Sequence, residues 1–74
     1  MITLNDIITR HPTIVDLIEY IKTFPVGEYL PGEREVAEAV GWNRATIREH
    51  MRSIECFGHV VIKQGKPTKY VKGF

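Results

Sequence analysis

The sequence predicts a mainly α-helical domain that closes on a small β-hairpin, and three observations carry the prediction. Apolar residues recur at helical spacing through Ile14–Ile21, Val36–Val40 and Ile47–Ile54. Pro25, Gly27, Gly41 and Gly58 punctuate the gaps between these stretches, where a helix must stop or the chain must turn. Beyond Gly58 the pattern changes to two short runs rich in β-branched residues, His59–Lys63 and Thr68–Lys72, around the turn Gln64-Gly65-Lys66-Pro67. A chain of 74 residues makes one domain, residues 1–74, and buries only about 60% of its unfolded surface, so its core is small.

At the N-terminus, Leu4, Ile7 and Ile8 have helical spacing, with Asn5 and Asp6 available near the start, so residues 1–12 form an extension that allows a short extra helix. Such a helix serves as a strap over the small core or as a self-association surface. The strap is favoured because a domain of this size needs every apolar contact. Thr13 and Asp16 have capping-box spacing and open a helix whose buried stripe is Ile14, Leu17, Ile18 and Ile21, ending near Phe24. Tyr20, Phe24 and Tyr29 read as core or core-edge aromatics.

The centre of the chain, Leu30 to Phe57, reads as two helices joined by a tight turn. Gly32 stands at an N-cap, with Glu35 spaced to reach back to the free donors of the first turn, and Gly41 ends this short helix in a left-handed conformation. Asn43 caps the next helix, residues 44–57, whose buried stripe is Ile47, Met51 and Ile54. Arg44, Thr46, Arg48 and Arg52 are left on the outer side. His50 falls beside Met51 and reads as a partly buried packing residue. A small Ala37 where helices cross, and a glycine four positions on, make a helix-turn-helix pattern, although any helical hairpin also needs a small contact residue and a turn glycine. A hairpin directly after the second helix, residues 58–73, is then a wing, and the whole is a winged helix-turn-helix in the order α-α-α-β-β. Lys63, Lys66, Lys69 and Lys72 make the wing basic, which serves a polyanion partner or simply keeps an edge strand soluble.

The net charge of +1 conceals a division. Residues 1–42 carry three basic and seven acidic side chains, hence −4; residues 43–74 carry seven basic and two acidic, hence +5. Positive potential on the last helix and the hairpin points to a polyanion. No apolar run approaches the ~18 residues of a membrane helix, and no leader pattern opens the chain, so a cytoplasmic protein is expected. The single Cys56 fits a reducing compartment, and its spacing to His50 and His59 matches no zinc pattern, so no metal is expected. No nucleophile–base pair, phosphate loop or paired-carboxylate site stands out. Neither enzymatic activity nor a cofactor is expected.

The stretch LPGEREVAEAVGWNRATIREHMRSIECFGHVVIKQGKPTKY resembles the DNA-binding part of the GntR family of transcription regulators, whose pattern runs Leu-Pro-Ser-Glu-Arg-Glu-Leu-Ala and then Gly-Val-Ser-Arg-Thr-Thr-Val-Arg-Glu. The tail GKPTK is most similar to the fatty-acid-responsive members. The likeness covers roughly Pro25 to Val71. It implies sequence-specific binding of double-stranded DNA by a transcriptional regulator, with helix 44–57 in the major groove and wing tip 64–66 in the minor groove. By the same resemblance Arg34, Asn43, Arg44, Thr46, Arg48, Gln64, Gly65 and Lys66 are the DNA-contacting residues, and Arg52 joins them from its place on the outer side of the helix. Ala45 and Asn43 depart from the family's threonine and serine, which leaves the target sequence open. Trp42 stands where the family carries valine, either packing over the turn or lying against a sugar.

The family's effector-binding domain has no counterpart in these residues. The expected state is therefore a monomer or weak dimer that pairs on a palindromic site. A rival reading is a small protein-interaction module that uses the same scaffold as an adaptor or inhibitor. A third is that the chain is a piece of a longer regulator.

Overall fold

A computed structural model describes residues Met1–Phe74. Four helices, α1 (Leu4–Arg10), α2 (Ile14–Ile21), α3 (Glu33–Val40) and α4 (Arg44–Cys56), precede the antiparallel strands β1 (Val60–Val61) and β2 (Lys69–Tyr70). The architecture is the winged helix-turn-helix that the sequence predicts. The strands are shorter than the β-branched runs, with Val60 opposite Tyr70 and Val61 opposite Lys69.

The core forms where α2, α3 and α4 turn their apolar stripes inward. Ile14, Leu17 and Ile21 of α2, Val36 of α3, and Ile47 and Ile54 of α4 are all fully buried, joined by Val60 and Tyr70 from the hairpin. Leu4, Ile7 and Ile8 of α1 pack against this cluster and are only partly buried. Thr3 caps α1: its side chain accepts from the Asp6 N–H, while the Asp6 carboxylate accepts from the Thr3 N–H at 2.8 Å. Asp6 is thus one half of the capping pair, and its partner is Thr3, two residues before Asn5.

Two expected side-chain capping bonds are not formed. Thr13 already has helical backbone angles, so its hydroxyl cannot cap α2, and it lies instead 2.6 Å from His50 Nε2. Gly32 caps α3 through its extended backbone alone, with no side-chain bond from Glu35. Gly41 does end α3 in the left-handed region, at φ 88°, which an L side chain enters only with strain. Helix α4 stops at Cys56, with Phe57 as its C-cap.

The segment between α2 and α3 pairs with the hairpin. Tyr29 bridges antiparallel to Lys69, with Leu30 N–H donating to Thr68 O at 2.8 Å and Tyr70 N–H donating to Glu28 O at 2.9 Å. On the other side, Glu55 Oε2 accepts the Ile62 N–H at 2.8 Å, so the hairpin is tied both to the α2–α3 connection and to the end of α4. Tyr20 and Phe24 pack edge to face at the core margin. Tyr29 does not join them: it is exposed, with Lys69 Nζ 5.6 Å from its ring centroid.

Candidate nucleic-acid interface

The outer face of α4 follows from its cap and its period. Asn43 stays extended, and its Oδ1 accepts the Thr46 N–H at 2.8 Å, which satisfies a free donor of the first turn and fixes where the helix starts. Arg44, Arg48 and Arg52 then recur every fourth residue on one face, all exposed, while Ile47, His50, Met51 and Ile54 are buried on the other. Trp42, in the turn, lies back over the body of the domain and donates from Nε1 to Asp16 Oδ2 at 3.0 Å.

Two of these arginines share one carboxylate. Glu33, the first residue of α3, accepts from Arg48 Nε at 3.0 Å through Oε2 and from Arg48 Nη2 at 2.9 Å through Oε1. Its Oε1 also accepts from Arg44 Nε at 3.1 Å. The bond from Arg48, aided by that from Arg44 and opposed by partial burial, holds the Glu33 carboxyl below the usual carboxylate range, and the same pairing raises Arg48. Arg52 has no acidic partner within the chain.

Between α3, α4 and the hairpin lies an open cleft of about 380 Å³ whose walls include Glu33, Arg48, Arg52 and Gln64 over a floor of Val36, Ile47, Met51 and Ile62. The fold thus brings together the basic face of α4 and one residue of the hairpin tip. Gly65 turns that tip at φ 72°. Lys66 faces a separate depression on the far side of the hairpin, beside Tyr29, Lys63 and Lys69, so the tip residues divide between two surfaces. Arg34 lies exposed on α3, paired with Glu38 at 3.5 Å.

Glu33 is the site residue that sequence reasoning missed. It stands 11 and 15 positions from its partners, beyond any helical period, and only the α3–α4 crossing brings the three together.

Comparison with known proteins agrees with this fold. The family model for bacterial regulatory proteins of the gntR family matches residues 15–69. A fatty acid metabolism regulator protein of Haemophilus influenzae is 37% identical over 71 residues, covering 88% of this chain, and one from Yersinia pestis is 46% identical over 46 residues, covering 62%. The matched region spans only 30% and 19% of those two relatives. Among solved structures, a GntR protein of Streptococcus agalactiae superposes with a TM-score of 0.74 at 35% identity, covering 82% of this chain and 31% of that one. The chain belongs to the GntR family of bacterial regulators and carries that family's winged helix-turn-helix DNA-binding domain.

Proposed function

We propose that this domain binds double-stranded DNA sequence-specifically as part of a transcriptional regulator, with α4 in the major groove and the hairpin tip in the minor groove. The observation that carries the reading is the single exposed face of Arg44, Arg48 and Arg52, of which Arg48 and Arg52 line the cleft that Gln64 also lines. An α-helix fits the major groove, and an arginine there can donate two hydrogen bonds to guanine O6 and N7. Thr46 and Asn43 at the start of α4, and Arg34 on α3, suit phosphate contacts. Gln64 and Gly65 at the tip suit the minor groove, whose code is coarse, so the tip adds affinity more than base choice. Lys66, on the far side of the tip, acts through charge.

The name shared by the relatives makes control regions of fatty acid metabolism genes the first DNA targets to try. The domain works in the cytoplasm, catalyses nothing, and pairs with a second copy chiefly on palindromic sites, where two half-sites one helical turn apart match two-fold symmetry. No helix is long and apolar enough to cross a membrane.

Selection of bound sequences from a random DNA pool tests the reading, followed by binding anisotropy of Arg48→Ala on the selected and a scrambled duplex. Loss of about 1–3 kcal/mol on the selected site alone is expected if the guanine contact is bidentate. A pool without an enriched motif, together with binding that lacks a log-linear salt dependence, favours a protein-interaction module instead.

A further inference from the structure

The polar cluster formed by Glu33, Arg44 and Arg48 has an acidic centre on a surface otherwise suited to phosphate. A carboxylate there lowers affinity for every DNA alike, because it repels the backbone that supplies non-specific binding. Its position gives something in return. Arg44 and Arg48 stand one helical turn apart, where two like charges repel, and Glu33 sits between them. It engages both guanidinium groups through their Nε side, so Nη1 of each has no partner within the chain, and Arg48 Nη2 keeps a second hydrogen. The end-on edge that suits guanine O6 and N7 is thereby left available, while the long side chains are already ordered. Ordering them before DNA arrives removes part of the entropy cost of forming a planar, directional contact.

We infer that Glu33 is a positioning residue for base discrimination: it holds Arg44 and Arg48 in a shared arrangement while its charge suppresses binding to phosphate alone. The inference rests on the DNA-binding reading above. Glu33 pairs with both arginines across the α3–α4 crossing, so its reach and its charge are separable by substitution. Glu33→Asp keeps the charge but is one methylene shorter and cannot serve both partners. Glu33→Gln keeps the length but not the charge.

The test measures affinity for the selected and scrambled duplexes across a salt series for wild type, Glu33→Asp and Glu33→Gln, with circular dichroism confirming that each is folded. Glu33→Asp should lower the ratio of specific to non-specific affinity about tenfold, the scale of one bidentate base contact, with an unchanged salt slope. Glu33→Gln should lower the ratio too, bind scrambled DNA more tightly, and steepen the slope by about one unit. In parallel, NMR of the free protein should show the Nε–H groups of Arg44 and Arg48 exchanging with water more slowly than those of Arg10 and Arg52, a difference lost in Glu33→Asp. The inference is overturned if Glu33→Asp keeps the wild-type ratio, if both variants shift the two duplexes equally, or if the four Nε–H groups exchange alike. Wild type that fails to discriminate the duplexes at all overturns the DNA-binding reading and this inference with it, a failure visible before any variant is compared.

Discussion

Thr13 Oγ1 and His50 Nε2 lie 2.6 Å apart, tying the start of α2 to the middle of α4 across 37 residues of sequence. His50 is buried, and burial, with a smaller push from His11 and a weak opposing pull from Glu49, lowers its pKa. The His11 ring stands 6.2 Å from it, centroid to centroid. A histidine whose folded pKa is depressed binds fewer protons in the folded than in the unfolded state. Its contribution is therefore complete above the ordinary histidine value of about 6.5 and is lost as pH falls below it. Urea midpoints should fall between pH 7 and pH 5 and fall less in His50→Gln; a flat profile for wild type over that range contradicts the assignment.

Thr13→Val should unfold more readily by about 1–3 kcal/mol at pH 7, the cost of leaving a buried imidazole nitrogen without its partner. The comparison is with Thr9→Val, whose hydroxyl bonds only a backbone carbonyl on an exposed helix face. That second substitution should stay within about 0.5 kcal/mol of wild type, as exposed sites usually do.

Ile54 is fully buried where α4 ends. Truncation to alanine should cost about 2–5 kcal/mol, and to valine about 0.5–1.5, because the core relaxes only partly around a lost methyl group. Since a domain this small has little stability to lose, Ile54→Ala should be largely unfolded by circular dichroism at 37 °C while Ile54→Val remains folded.

Gly41 isolates the cost of a left-handed turn residue. A Cβ built there meets no atom within 4 Å, so only the backbone at φ +88° resists substitution. Gly41→Ala should destabilise by about 1–2 kcal/mol in thermal melts. By contrast, Gly32, also free of neighbours but with φ −62°, should tolerate alanine with a loss of only the capping preference.

Lys66 and Arg48 should fail in different ways. Lys66→Ala removes a charge from the hairpin's far side, so it should weaken binding to selected and scrambled DNA alike and reduce the salt slope by about one unit. Arg48→Ala should act on the selected site far more strongly. Equal loss of discrimination in both variants contradicts the division of labour between helix and tip.

What was readable in the sequence was whatever depends on neighbours along the chain. The stripe Ile14, Leu17, Ile18 and Ile21, the Asn43 cap and the left-handed Gly41 are all local, and each is found as its residue type requires. Local rules misled where a distant partner outbid a near one. Thr13 has capping-box spacing but bonds His50, and Glu35 has it without forming the bond. The strand pairing of Tyr29 was hidden because one bridging residue between Gly27 and Pro31 has no period to detect. Among the site residues, the arginine face of α4 was legible from its four-residue spacing. The Glu33 link and the separation of Lys66 from Gln64 depend on how helices cross and how a tip is turned, which no spacing encodes.

The backbone bonds from Gly27, Leu30 and Tyr70, and the Glu55 carboxylate on Ile62, brace the hairpin from both sides. On the proposed docking, that bracing makes the molecule a caliper with one jaw on α4 and the other at Gly65. A caliper of set span does not adapt to what it grips. The duplex must instead bring its major and minor grooves to the spacing between the jaws, and sequences differ in how cheaply they narrow or bend. Bases that no side chain touches would then influence affinity, through the stiffness of the DNA between the two grooves.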